Sequence, residues 1–241
     1  MSDKPIPFSA PMVRALLREI EEPGTGKTQT RRVIDFPGVE NVLAFVPVAT
    51  DQRGRRIYEM KDASGQFITR PAGKNLVEYH YWPKYAVDDR LYVREAWRAE
   101  AVYDDTSPRA IEADACMVRY EADGTWSDRD AMTHAGRFRQ GMHMPRWASR
   151  ITLFVTDVRV QLLQEISEED AIAEGVECWS EPGLCSWRVE DVMSLKSAVD
   201  AYAQLWTSLN AARGYGWEAN PWVAAYTFRP ILGNIEQIGG A

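Results

Sequence analysis

The chain predicts an α+β fold, a small β-barrel with helices packed around it. Two observations carry this. Apolar and polar residues alternate in several separate stretches, most clearly in "SRITLFVTDVRVQLLQEI" (149–166), where Ile151, Leu153, Val155, Val158, Val160 and Leu162 mostly alternate. Only three stretches carry helical spacing, and they do not alternate with the strands as βαβ units would. At 241 residues, 45% hydrophobic and 26% charged, the chain is long and apolar enough to bury a core as one domain, 1–241.

Each element has its local reason. "PIPFS" (5–9) reads as a short strand leading into a helix, "PMVRALLREIEE" (11–22). There Met12, Val13, Leu16, Leu17 and Ile20 recur at helical spacing and Pro11 suits the first turn. "KTQTRRVI" (27–34) alternates and reads as a strand. Asp51-Gln52-Arg53-Gly54 and Asp62-Ala63-Ser64-Gly65 read as hairpin turns. "YAVDDRLYVREAWR" (85–98) is a turn at Asp88-Asp89 followed by a strand, and "ACMVRYEADG" (115–124) is a strand ending in a turn. Residues 125–147 are polar, irregular and basic, a long loop. Ser167 precedes Glu168, Glu169 and Asp170, a hydroxyl cap with an acidic first turn, and Gly175 is a natural stop. "SLKSAVDAYAQLWTSLN" (194–210) is an amphipathic helix, and "NPWVAAYTFRPI" (220–231) is a closing strand.

Gly24-Thr25-Gly26-Lys27-Thr28 resembles a phosphate-binding loop at first sight. That motif needs a glycine five residues before Gly-Lys-Thr, and Glu21 stands there. It also needs a strand before the loop and a helix after it, and here the order is reversed. The lysine and threonines are therefore free for other chemistry.

The net charge of −7 argues against bulk coating of nucleic acid but not against a local basic groove. Lys27, Arg31 and Arg32 form one basic cluster. Arg137, Arg139, Arg146 and Arg150 form another, each also explicable as a solvated face. Trp147 sits within the second cluster as the candidate residue for stacking on a base. Three cysteines suggest reduced thiols and a cytoplasmic protein. No apolar run is long enough for a membrane helix. No Cys-x-x-Cys or His-x-x-x-His pair exists, so no metal site and no cofactor is expected. No Gly-x-Ser-x-Gly elbow is present.

"GKTQTRR", "YAVDDRLYVREAW", "MPRWASRITLFVTDVRVQLLQEISEEDAIAEGV" and "NPWVAAYTFRPI", in that order, resemble the ASCH domain family of the PUA-like superfamily, in particular its larger phage and prophage members. The resemblance covers most of the chain. Residues 36–82 and 100–140 look like insertions. It implies a PUA-like β-pseudobarrel with flanking helices and a cleft suited to RNA or a modified nucleoside. One branch of the family consists of metal-free amidohydrolases that remove the acetyl group from N4-acetylcytidine, using a Lys-x-x-Thr pair and a helix glutamate. By the resemblance these are Lys27, Thr30 and Glu174. Other members are ribonucleases or RNA binders, so the family does not fix one activity.

Amide hydrolysis needs a nucleophile, a base for it, a donor for the leaving amine and a positive group at the oxyanion. A threonine hydroxyl needs a base, and a lysine serves only if burial or a neighbouring cation lowers its pKa. Arg31 or Arg32 can supply that cation. On a strand, Lys27 and Thr30 point to opposite faces, so they converge only if the chain turns between them. Three functions remain open: an amidohydrolase using Lys27, Thr30 and Glu174; a reader of RNA or a modified base using Lys27, Arg31, Arg32 and an aromatic, with Arg146, Arg150 and Trp147 as further nucleic-acid contacts; and a metal-free ribonuclease using Lys27 or an arginine against the phosphate. Each site residue also has a plain reading: Lys27 as a solvated loop lysine, Thr30 as a branched strand residue, Glu174 as a surface glutamate. Lys27 and Glu174 are expected to lie close together, and Arg146 and Arg150 to border the same cleft.

Overall fold

The computed structural model describes residues 3–35, 42–52, 54–72, 75–113, 115–128, 133–181, 184–194 and 196–238. The first elements are β1 (Asp3–Pro7), helix α1 (Ala10–Glu21) and β2 (Gln29–Val33). Next come β3 (Ala44–Thr50), β4 (Arg56–Lys61), β5 (Thr69–Ala72), β6 (Asn75–Glu78) and β7 (His80–Tyr81). The middle of the chain holds β8 (Arg90–Arg94), β9 (Trp97–Arg98), β10 (Arg119–Tyr120) and the long β11 (Ile151–Leu162). Helix α2 (Glu168–Ala173), strands β12 (Glu177–Glu181), β13 (Leu184–Val189) and β14 (Val192–Ser194), helix α3 (Ala198–Asn210) and β15 (Trp222–Leu232) complete it.

The main sheet has the order β1-β8-β11-β15-β2. β1 runs parallel to β8, and the other neighbours are antiparallel. The β11–β15 ladder spans the length of both strands, with a bulge between Val155 and Asp157 that sharpens the local twist. The outer strands β1 and β2 do not pair, so the expected barrel is an open sheet. Its edges nevertheless approach: Arg32 Nη2 on β2 donates to the Pro7 carbonyl of β1 at 3.0 Å. The concave side is filled by Ile6, Leu91, Val93, Leu153, Tyr226 and Phe228, with Val13 and Leu16 of α1 packed into it. Burying each such side chain is worth about 1.5–3 kcal/mol, so α1 is held by its apolar stripe.

A second core lies under α3, where Ala201, Tyr202, Leu205 and Trp206 face Leu163, Ala171 and Val223. Ser197 and Ser167 cap α3 and α2 by accepting from Asp200 N and Asp170 N. Residues 44–81 form separate small sheets, β3-β4-β7 and β5-β6, which share no ladder with the main sheet. The hairpin turn at Asp62 is present, with the Gly65 amide donating to the Asp62 carbonyl. Arg53, in the other predicted turn, lies outside the described residues. The described part of the predicted loop 125–147 is held by short 3-10 turns and a bridge from Trp97 to Arg139, around a small core of Trp97, Val118, Tyr120 and Met144. The three-stranded sheet β12-β13-β14 was not anticipated: its strands are three to six residues long and its alternation is interrupted. Among the described residues, no helix is long and apolar enough to cross a membrane.

Candidate functional site

The glycine-rich turn before Lys27 is explained by packing. A Cβ on Gly26 would lie 2.3 Å from the Ala15 carbonyl oxygen and 2.4 Å from the Glu19 nitrogen, so only glycine lets this segment lie on the backbone of α1. Gly24 takes φ +89°. The amides of Gly24 and Gly26 donate to the Glu19 carboxylate, at 3.0 and 2.9 Å to Oε2. The loop thus cradles an anion supplied by its own helix, which is why it looks like a phosphate loop and is not one.

From there the chain docks on the end of α2. Lys27 N donates to the Ala15 carbonyl and Thr28 N to the Ala173 carbonyl. Glu174 caps α2, and Gly175 turns the chain away at φ +104°. Lys27 Nζ reaches back to this cap. It donates to Glu174 Oε2 and to the Glu174 backbone oxygen, both at 2.7 Å, satisfying one carbonyl that the helix end would leave open. The expected proximity of Lys27 and Glu174 is therefore present. Their exposures are 1% and 3%, so neither is a solvated surface charge.

Strand period sorts the residues that follow. Gln29 and Arg31 face α2. Arg31 Nη1 donates to Glu174 Oε1 at 3.1 Å and to Gln29 Oε1 at 2.5 Å, and Arg31 Nη2 donates to Asp170 Oδ2 at 2.6 Å. Asp170 also accepts from Arg159 and Gln29. Thr30 and Arg32 face the other way, toward Phe8 and Pro7. Thr30 is buried, and its Oγ1 accepts from Arg32 Nη1 at 3.0 Å. Thr30 thus connects to the site through Arg32 and makes no hydrogen bond to Lys27. Phe8 joins the two faces: its ring centroid lies 5.9 Å from Lys27 Nζ and 5.3 Å from the Arg32 guanidinium.

Burial pushes the Lys27 pKa down from its ordinary 10.5. Glu174 opposes this without overcoming it, and Arg32 and Arg31 push in the same direction as burial. The Tyr202 hydroxyl is held well above its ordinary range, first by burial and then by the Glu174 charge. Asp170 lies below its usual value: burial raises it, but Arg159, Arg31 and Gln29 outweigh that.

A cavity of about 330 Å³ opens beside this network, between β2 and α3. Phe8, Arg31, Arg32, Glu174, Tyr202 and Trp206 line it, and Asn210 and Arg213 stand at its α3 wall. Its size falls at the lower end of small-molecule sites, roughly 300–1,000 Å³. Lys27 and Thr30 lie behind the lining.

The second basic cluster lies elsewhere. Arg146 pairs with Asp3 at 2.6 Å and Glu236 at 3.1 Å, and Arg150 with Glu95 at 2.8 Å and Asp123 at 2.7 Å. Arg150 and Trp147 line a different cavity, with Tyr120 and Trp126. The expectation that Arg146 and Arg150 border the Lys27 cleft is thereby corrected: neither lines it, and carboxylates already hold both. Tyr202 and Arg213 were not foreseen. Tyr202 fits the α3 stripe that reads as core, and Arg213 follows the helix in a 3-10 turn. Among the described residues, no three His, Cys, Asp or Glu side chains group as a metal set. No protein-family model, curated protein or solved structure matches the chain.

Proposed function

We propose that the chain is an ASCH-type protein with a PUA-like pseudobarrel, acting on a nucleoside or RNA, and that its reaction is hydrolysis of an acylated exocyclic amine such as that of N4-acetylcytidine. One observation carries this reading: a buried lysine and a buried arginine, both donating to one buried glutamate, back a cavity of nucleoside size. A lowered lysine pKa is what a general base needs near neutrality.

In this reaction the Thr30 hydroxyl attacks the acetyl carbonyl and its proton passes to neutral Lys27. Arg32, already bonded to Thr30 Oγ1, offsets the charge on the alkoxide and then on the tetrahedral oxyanion. Collapse breaks the C–N bond, and the amine leaves with the proton from the Lys27 ammonium. Water then hydrolyses the acetyl-threonine ester. Lys27 takes the proton from that water and gives it to Thr30 Oγ1 as acetate leaves, while Glu174 holds Lys27 in place. A substrate-induced shift must bring Thr30 and Lys27 to the cavity, because in the free protein they stand behind its lining.

That last feature favours a second reading. Phe8, Arg31, Arg32 and Tyr202 do line the cavity, and they are the aromatic and cationic groups a non-catalytic reader of a modified base uses. The experiment is incubation with N4-acetylcytidine and, separately, with structured RNA. Release of cytidine and acetate supports the hydrolase. Saturable binding without turnover supports the reader. RNA fragments without deacetylation would replace both with a ribonuclease.

A further inference from the structure

We propose that the cavity between β2 and α3 takes a phosphate-bearing ligand, a nucleotide free or within an RNA strand, rather than a bare nucleoside. This rests on the nucleoside-directed reading above and names the ligand class of that site.

Two arginines at the cavity carry charge that, among the described residues, no carboxylate neutralises. Arg32 gives its donors to Thr30 Oγ1 and to the carbonyls of Arg31 and Pro7. Arg213 donates to the Asn210 side-chain oxygen. Among the described residues no carboxylate pairs with either. Both line the cavity, from opposite walls: Arg32 from the sheet and Arg213 from the turn after α3. The only carboxylate in the lining is Glu174, and Lys27 and Arg31 already occupy it. The cavity is therefore positive inside a chain of net charge −7.

Arg31 also lines the cavity, but its side chain is fully buried and spent on Asp170, Glu174 and Gln29, so Arg32 and Arg213 are the lining cations left for a ligand. Phe8, Tyr202 and Trp206 supply the apolar and aromatic surface a base needs, and guanidinium groups suit phosphate oxygens. In this arrangement the base lies against the aromatic residues and the phosphate lies between Arg32 and Arg213.

The test uses the intrinsic fluorescence of the full chain, to which Trp206 in the cavity wall contributes. Cytidine, cytidine 5′-monophosphate, oligocytidylate and ribose 5-phosphate are titrated in turn at low and at high salt. The monophosphate or the oligonucleotide should bind at least about tenfold tighter than cytidine, with the gain shrinking in salt. Which of the two binds tighter tells a free nucleotide from a strand. Arg213→Gln, at an exposed position, should remove most of the gain. Arg32→Gln should do the same, and Arg213→Gln decides if that variant fails to fold. Ribose 5-phosphate binding without cytidine binding would keep the phosphate site and end the base-recognition reading. Equal affinity for cytidine and its monophosphate would overturn the phosphate site and leave the nucleoside reading intact. Absence of binding by all four would overturn both.

Discussion

Two basic clusters, Lys27-Arg31-Arg32 and Arg146-Arg150, look alike along the chain and differ in space. Arg146 and Arg150 each face two carboxylates, from Asp3, Glu236, Glu95 and Asp123, and are consumed in holding the sheet to the loops around it. In the first cluster, Lys27 and Arg31 share Glu174, while Arg32 meets only a hydroxyl and carbonyls. A run of cations therefore leaves charge open to a ligand only where the fold withholds its counter-charges, as at Arg32. What distinguishes the regions is the origin of the acids, not the number of arginines.

The largest effects should come from removing one buried ion-pair partner from each region. Glu174→Ala takes the shared carboxylate from buried Lys27 and Arg31, leaving Arg31 with Asp170 alone, and Arg150→Ala strands the buried Glu95. Each should cost about 3–5 kcal/mol in denaturant unfolding. Only the first should also abolish nucleoside binding. Equal loss of binding in both variants would mean that Arg150 belongs to the site after all. Glu174→Ala should also cost more stability than Lys27→Met, because Arg31 still neutralises Glu174 when the lysine is gone.

Gly26→Ala sharpens the account of the turn. A Cβ there meets α1 backbone that has little room to move, so the variant should lose about 1–3 kcal/mol and show altered amide exchange in α1. Unchanged stability would reopen the reading of this loop as a flexible phosphate binder.

The pH dependence of stability isolates Lys27. Its folded pKa lies below 10.5 because burial disfavours the ammonium. Between the folded value and 10.5 the unfolded chain holds a proton that the folded chain has released, so stability rises with pH through that window. The slope is at most about 1.4 kcal/mol per pH unit. The difference between wild type and Lys27→Met should show this slope, and a flat difference would mean the ammonium persists when buried. Under the proposed hydrolase reading, the rate of deacetylation should likewise climb to a plateau below pH 10.5.

Arg146→Ala should have the smallest effect. Its side chain is 39% exposed and its two ion pairs lie at the surface, so the loss should stay below about 1 kcal/mol, with ligand binding unchanged.

The sheet was legible because Ile151, Leu153, Val155 and Val158 keep a strand period, and α2 because Ser167 and its three acids announce a helix start. Closure was not legible, since nothing in the β1 or β2 sequence tells whether two outer strands pair or are bridged by one arginine. The Lys27–Glu174 contact was foreseen from resemblance and from the need of a buried lysine for a carboxylate. The pairing of Arg31 with Glu174 and Asp170 was not: in sequence it reads as a cation beside Lys27 or as part of a reader's cleft. Yet it alternates with Gln29 on a strand that packs beside the acidic first turn of α2, and that alternation was the available signal. Tyr202 and Trp206 keep the core spacing of α3, so sequence alone offers no reason to separate packing from lining a cavity.

The most direct test of the central claim is a titration with N4-acetylcytidine, read by intrinsic fluorescence, on wild type, Arg32→Gln, Glu174→Gln and Arg146→Ala. It asks only whether the Glu174 cavity is the ligand site, whatever follows binding. The account predicts a saturable response in wild type and Arg146→Ala, weakened at least about tenfold in the other two. No response in wild type, or an undiminished response in folded Arg32→Gln and Glu174→Gln, would contradict it.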